Sequence, residues 1–277
     1  MERRTFRAMG TDIELLVDAD EADGQLDAAA AEFERLEQIL SRFRESSELS
    51  QLNRAGSLDA GPDLRRVVEL ALAARERTDG RFDPTVHDAL VRAGYDRTFD
   101  EIADTNAPPA VPRPARGGVE ITRDAIVLED GVRLDLGGIG KGYAAERAAE
   151  ILAVGGPCLV NAGGDIAVRG GSWPVGVETA DGSLTLELGA GGLATSGRDR
   201  RVWRRNGREL HHLIDPRTGA PAESDLVRVT VVAGDAVDAE VAAKDLFFAG
   251  AHEASQSELA AVLVTEDGRT VLTGALR

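Results

Sequence analysis

From residue 157 to its end, the chain is a succession of short apolar runs broken by glycine-rich turns, with one helical stretch among them. That pattern narrows the possible folds more than any other feature. The runs 157–168, 173–179, 183–189 and 226–233, and the pair 259–264/270–273 around Asp267-Gly268, have the residue types and spacing of strands. Only residues 236–249 read as a helix there. Strands and helices do not alternate in strand–helix–strand units, which argues against a parallel, doubly wound sheet. The pattern predicts an α+β fold with mostly antiparallel sheets and packed helices.

Upstream, residues 5–18 read as one extended segment ending in the alternating Ile13-Glu14-Leu15-Leu16-Val17-Asp18. Leu26, Ala29, Phe33, Leu36, Leu40 and Phe43 recur at three- and four-residue spacings, which predicts a single helical stripe. A second helix is predicted from Pro62, suited to a first helical position, to Gly80, suited to a C-terminal cap. Val67, Leu70, Ala71 and Ala74 form its apolar face. Residues 105–117 form a Pro-rich loop. Asp130-Gly131 is expected to join 125–129 to 132–136 in a hairpin, and a further helix is expected over 142–152. No repeat divides the chain, and one domain over 1–277 is expected.

Composition sets outer limits. Hydrophobic residues make up 43% of the chain but aromatic ones only 4%, so the core must rest on Ala, Val, Leu and Gly. A formal charge of −16 argues against nucleic acid or an anionic membrane surface as partner. The single cysteine, Cys158, excludes an internal disulfide and a Cys-based zinc cluster, and its apolar neighbours predict a buried thiol. No window approaches a membrane span. Arg3-Arg4 is followed by no apolar leader, so a cytoplasmic location is expected.

Four segments carry candidate chemistry. Leu134-Asp135-Leu136-Gly137-Gly138-Ile139-Gly140-Lys141-Gly142-Tyr143-Ala144 reads as strand, glycine turn, then helix. Backbone N–H groups and the helix dipole at such a junction favour a phosphate, although a glycine turn alone is more often plain turn geometry. It fits neither a Walker A loop nor a G-x-G-x-x-G turn. Val160-Asn161-Ala162-Gly163-Gly164-Asp165 leaves a carboxylate at a turn. Ala194-Thr195-Ser196-Gly197 sets two hydroxyls beside a glycine. Leu210-His211-His212-Leu213-Ile214-Asp215-Pro216-Arg217-Thr218-Gly219 ends in a tight turn. Its adjacent histidines are expected on a strand, where they face opposite ways, so at most one of them serves a given site.

In this order the four segments resemble the ApbE family of flavin transferases. So do Ala8-Met9-Gly10-Thr11, the stretch Ser46-Ser47-Glu48-Leu49-Ser50-Gln51-Leu52-Asn53, and Arg81-Phe82-Asp83-Pro84-Thr85-Val86. The likeness runs from about Phe6 to Gly250. It implies an FAD:protein FMN transferase, which moves FMN from FAD to a Ser or Thr hydroxyl of an acceptor flavoprotein and releases AMP. By the same resemblance, Met9, Phe43, Phe82 and Asp83 fall at flavin positions, and Asp135, Lys141 and Asp165 at positions around the nucleotide. Thr195 and Ser196 fall beside the adenosine half, and Val227 at a backbone contact to FAD. His212 aligns with a family histidine, whose neutral imidazole would suit a base for a hydroxyl nucleophile.

The chain departs from the family at the metal. The resemblance implies Mg²⁺ held by a backbone carbonyl in the glycine turn, here Gly138, and by an Asp and a Thr four residues apart on the last helix. Glu240 stands at the Asp position and Lys244 at the Thr position. Glu240 can still meet a cation, whereas a protonated Lys cannot be a ligand. Two readings stay open. Glu240 and Lys244 form an i,i+4 salt bridge on a vacated site, or the Lys244 ammonium takes over the metal's electrostatic role in catalysis. Alternatives to the transferase are an FAD pyrophosphatase, with water as acceptor, and a noncatalytic FAD-binding protein.

Overall fold

The computed structural model describes residues 1–108 and 110–277; Pro109 of the Pro-rich loop lies outside the described residues. The chain packs into two compact units. The first comprises Met1–Glu37, Ile139–Gly197 and Ser224–Arg277, and the second Gln38–Gly138 and Arg198–Glu223.

The first unit is built on an eight-stranded antiparallel sheet. In sheet order its strands are Glu2–Ala8, Thr11–Val17, Cys158–Ala162, Asp165–Thr179, Gly182–Gly197, Leu226–Ala233, Ala260–Thr265 and Thr270–Thr273. The α+β fold with antiparallel sheets and packed helices is therefore as expected. Two of the predicted runs are corrected. Residues 5–18 are not one extended segment, because Met9 (φ 52°) and Gly10 (φ 69°) make a two-residue hairpin turn between Ala8 and Thr11. Run 157–168 likewise folds back at Gly163-Gly164, where the Gly164 N–H donates to Asn161 Oδ1 at 2.8 Å. Runs 173–179 and 183–189 are the outer parts of the two longest strands. Leu159, Ile166, Val168, Trp173, Val175, Leu188, Leu193 and Val262 form one apolar cluster of this unit.

Helix Gly140–Leu152 packs on the strands Cys158–Ala162 and Asp165–Thr179. Helix Ala236–Ala249 packs on Gly182–Gly197 and Leu226–Ala233, and the two helices also pack on each other. No residue of helix Ala236–Ala249 is fully exposed, as befits a helix covered on several sides. Helix Asp23–Leu40 buries Leu26, Ala29, Phe33, Leu36 and Leu40, as their spacing predicts. Phe43 is not on that stripe. The helix stops at Leu40, and the Ser41 carbonyl accepts the Ser47 hydroxyl at 2.6 Å instead of continuing the helical ladder.

In the second unit, helix Pro62–Arg77 matches its start signal and ends a turn before Gly80. Two helices not predicted appear at Glu48–Ala55, capped by Ser47 and Gly56, and at His87–Ala93. The predicted hairpin about Asp130-Gly131 does not form. Ile126–Leu128 pairs with Val119–Ile121 and with Ser57–Leu58. Residues 132–136 are not the expected strand and lie outside any ladder, because other groups take their backbone bonds. Asn53 accepts from the Leu134 N–H at 2.7 Å and donates to its carbonyl at 2.8 Å, while the Asp135 N–H donates to the Pro84 carbonyl at 2.8 Å.

Candidate functional site

Helix Gly140–Leu152 begins at the glycine turn, where its first N–H groups would suit an anion. Glu240, reaching from helix Ala236–Ala249, already supplies one: Gly142 N–H donates to its Oε2 at 3.0 Å. Glu146 returns the service. The Ala236 N–H, at the start of the other helix, donates to Glu146 Oε1 at 2.6 Å. Each glutamate thus caps its neighbour's helix. The starts lie so close that a Cβ on Gly142 would come within 2.7 Å of the Ala236 carbonyl oxygen. Gly142 is a glycine of helix packing before it is one of ligand approach.

Lys141, Asp165, Glu240 and Lys244 come together at this junction. Lys141 Nζ pairs with Asp165 Oδ2 and, at 2.8 Å, with Glu240 Oε1. Lys244 Nζ lies 3.3 Å from the same Glu240 oxygen and 3.4 Å from the Glu240 carbonyl. Burial alone would raise the Glu240 carboxyl. The two ammonium groups and the Gly142 N–H outweigh burial and hold it down to about 2. Burial pushes Asp165 up to about 6, reinforced by the Glu240 charge and opposed by Lys141. The first proton of the pair thus goes to Asp165. That order follows from the bonding, since Glu240 is held by three donors and Asp165 by Lys141. Burial also lowers the Lys244 pKa.

A divalent cation needs oxygen ligands with lone pairs to spare. Glu240 spends both of its oxygens on internal donors and is only 1% exposed. A dication about 4 Å from the Lys244 ammonium would also meet a repulsion on the order of 8 kcal/mol at an effective dielectric near 20. The donor set at Glu240 does not fit Mg²⁺. Among the described residues no group of three or more His, Cys, Asp or Glu side chains gathers into a metal-binding cluster. The i,i+4 salt bridge of the sequence reading is present, and Lys141 enlarges it into a four-membered network.

The other predicted residues of this unit are dispersed over the sheet. Thr195 Oγ1 and Thr230 Oγ1 lie 2.9 Å apart across neighbouring strands, and Ser196, one residue on, is buried. Val227 sits where the register slips between Leu226 and Arg228, the position of a β-bulge. Met9 holds its left-handed turn conformation, and its N–H donates to Glu37 Oε2 at 2.8 Å.

In the second unit, Phe43 and Asp135 meet through a residue that sequence reasoning missed. Arg42 Nε lies 2.5 Å from Asp135 Oδ2, and its guanidinium carbon lies 4.1 Å from the Phe43 ring centroid and 4.7 Å from that of Tyr95. Asp135 Oδ1 accepts the Gly137 N–H at 2.8 Å, which shapes the turn that contains Gly138. Phe82 and Asp83 are both buried. Asp83 caps the short helix Pro84–Val86, accepting from Thr85 N–H at 2.8 Å and Thr85 Oγ1 at 2.7 Å. Even so, burial holds its pKa above the usual range.

The strand Arg208–His211 ends at His211, so His212 does not lie on the opposite face of a strand but on the bend that follows. His211 is the packed member of the pair: its Nδ1 accepts from Leu213 N–H at 3.3 Å and its Nε2 faces the Ala222 carbonyl at 3.1 Å. His212 is half-buried.

These features define an α+β protein in which Lys141, Asp165, Glu240 and Lys244 gather beside two helix starts over an antiparallel sheet. The ApbE family model matches residues 9–262, and the chain belongs to that family. A relative from Klebsiella pneumoniae, named FAD:protein FMN transferase, is 28% identical over 88% of this chain and 83% of its own length. The protein of that name from Treponema pallidum is 30% identical over 84% of this chain and 73% of its own. The crystal structure of the ApbE protein from Thermotoga maritima superposes with a TM-score of 0.86 at 24% identity, covering 98% of this chain and 96% of that one. The flavin transferase ApbE from Vibrio cholerae gives 0.81 at 22% identity, with 99% and 98% covered. No described helix is long and apolar enough to cross a membrane.

Proposed function

We propose that this chain is an FAD:protein FMN transferase acting on a Ser or Thr hydroxyl of an acceptor flavoprotein. The observation that carries the reading is a family match over 9–262, with relatives of that name aligned over most of their own length. The match takes in residues of both compact units, which supports reading 1–277 as one family domain.

In the reaction the acceptor oxygen attacks the FMN-side phosphorus of FAD. The bond from that phosphorus to the bridging oxygen breaks, AMP leaves with the bridging oxygen, and the hydroxyl proton passes to a base. His212 is the residue we assign as base, since a half-buried neutral imidazole can take a proton near neutral pH. Lys141 and backbone N–H groups are assigned to the phosphates, a task of positioning and charge stabilisation. By resemblance, Met9, Phe43, Phe82, Asp83 and Asp135 are assigned to the flavin and nucleotide, and Thr195, Ser196 and Val227 to the adenosine side.

The test is incubation of the pure protein with FAD and a peptide carrying a Ser/Thr flavinylation motif. The peptide should gain the mass of an FMN adduct while AMP appears in equal amount. FMN and AMP without adduct would mean that water is the acceptor, and unchanged FAD would mean binding without turnover.

A further inference from the structure

We propose that Lys141 and Lys244 are built-in cations standing where a divalent metal would otherwise sit at Glu240, so that this protein binds its dinucleotide without a metal. The ligand in this statement rests on the function proposed above, whereas the metal part rests on side chains alone. Two ammonium groups face two carboxylates, Asp165 and Glu240. A dication between the same carboxylates would carry the same total charge. The difference is geometric: an ammonium brings its protons to the oxygens and needs no other ligand shell, whereas a dication needs several more oxygens.

Both oxygens of Glu240 are also occupied. Glu240 Oε1 receives Lys141 at 2.8 Å and Lys244 at 3.3 Å, and its Oε2 receives the Gly142 N–H at 3.0 Å. A metal on Glu240 Oε1 would have to displace Lys141 or Lys244, whose side chains are 16% and 14% exposed, and one on Oε2 would uncap helix Gly140–Leu152. Glu at 240 fits this arrangement, for the same carboxylate reaches both Lys141 and the N–H of Gly142. The substitutions at 240 and 244 then belong together: the longer carboxylate caps the neighbouring helix, and the lysine supplies charge where the family pattern has a neutral Thr.

The experiment is a Mn²⁺ titration of the unmodified protein followed by the EPR signal of free Mn²⁺, alone and with FAD. FAD affinity is measured in parallel by flavin fluorescence in EDTA and in Mg²⁺. We expect no stoichiometric Mn²⁺ site. FAD affinity should differ by less than about twofold between EDTA and Mg²⁺, because metal and ligand affinities are coupled reciprocally. Lys244→Thr with Glu240→Asp, checked for folding by circular dichroism, should acquire a Mn²⁺ site. Stoichiometric Mn²⁺ binding by the unmodified protein that Glu240→Gln abolishes would overturn the proposal. A folded double variant that still binds no Mn²⁺ would overturn the placing of Lys244 in the metal's position. If FAD fails to bind under either condition, the functional reading falls, while the Mn²⁺ titration of the free protein still decides the metal question.

Discussion

Glu240 and Glu146 exchange places as caps: each sits on one helix and accepts an N–H from the first turn of the other, at 3.0 and 2.6 Å. Their losses should differ. Glu146 is also paired with Arg169 at a partly exposed site, so Glu146→Ala should cost about 1–3 kcal/mol, the range for a lost charged cap. Glu240→Ala removes a buried partner of both Lys141 and Lys244 and should cost about 3–5 kcal/mol, with Glu240→Gln in between. Urea unfolding of the three variants checks the ranking. A Glu240→Ala variant no less stable than Glu146→Ala would show that the lysines find other partners.

Arg42 joins the Phe43 ring to the Asp135 carboxylate, and both partners of the ion pair are nearly shielded from solvent. Arg42→Lys keeps the charge but loses the flat contact with the ring, so it should weaken FAD binding if Phe43 holds flavin. Arg42→Ala should also destabilise the fold, by about 3 kcal/mol or more, because Asp135 is left without its cation. Flavin fluorescence and denaturant midpoints separate the two effects. Unchanged FAD affinity in a stable Arg42→Lys protein would remove Phe43 from the flavin site.

The two histidines should fail in different ways. His212→Ala should lower transfer by roughly 10²–10⁴-fold with FAD affinity nearly unchanged, as for loss of a general base. His211→Ala should mainly cost stability, since its ring holds Leu213 and Ala222 together. Equal losses of turnover from both variants would refute the assignment.

His211 also makes a pH prediction. Burial lowers its folded pKa below the unfolded value of about 6.5, so the unfolded chain takes up the proton first. Its contribution to stability is complete above the unfolded pKa. It is lost as pH falls through the folded value, by up to about 1.4 kcal/mol per pH unit. His87, lowered by burial as well, contributes a slope of the same sign. Stability measured from neutral to mildly acid pH should therefore fall less steeply in His211→Gln than in the parent. An identical slope would mean that the ring accepts its proton without loss.

Cys158 is fully buried, its thiol donates to the Ala149 carbonyl at 3.4 Å, and burial pushes its pKa up to about 11. It should be inert to a disulfide thiol reagent in the native protein at neutral pH and react with one equivalent in denaturant. Rapid native labelling would show that the strand Cys158–Ala162 opens locally.

What could be read from the sequence follows the range of the forces involved. Helices Pro62–Arg77 and Ala236–Ala249 were legible because end signals and apolar spacing are local. So was most of the sheet, whose strands alternate with turn residues. Helix Glu48–Ala55 carries local end signals in Ser47 and Gly56, but it is only eight residues long and buries just Leu49 and Leu52, too few for an apolar period to show. The hairpin about Asp130-Gly131 misled because Asn53, distant in sequence, takes the Leu134 backbone. At the site, the i,i+4 pairing of Glu240 and Lys244 was visible within one helix. The capping of Gly142 by Glu240, the answering cap by Glu146 and the part played by Arg42 depend on chain crossings that no local spacing encodes.

The order in which the sheet is assembled has a consequence for synthesis. The hairpin Glu2–Ala8/Thr11–Val17 is translated well before Cys158–Ala162, the strand with which Thr11–Val17 pairs on its other side. All of Gln38–Gly138 must be translated before that partner exists. Until then the nascent chain carries an open strand edge with Ile13, Leu15 and Val17, all buried in the finished protein, on one face. Such an edge invites pairing with a neighbouring chain. Production yield should therefore depend on elongation rate and on holdase chaperones more than the stability of the completed fold would suggest.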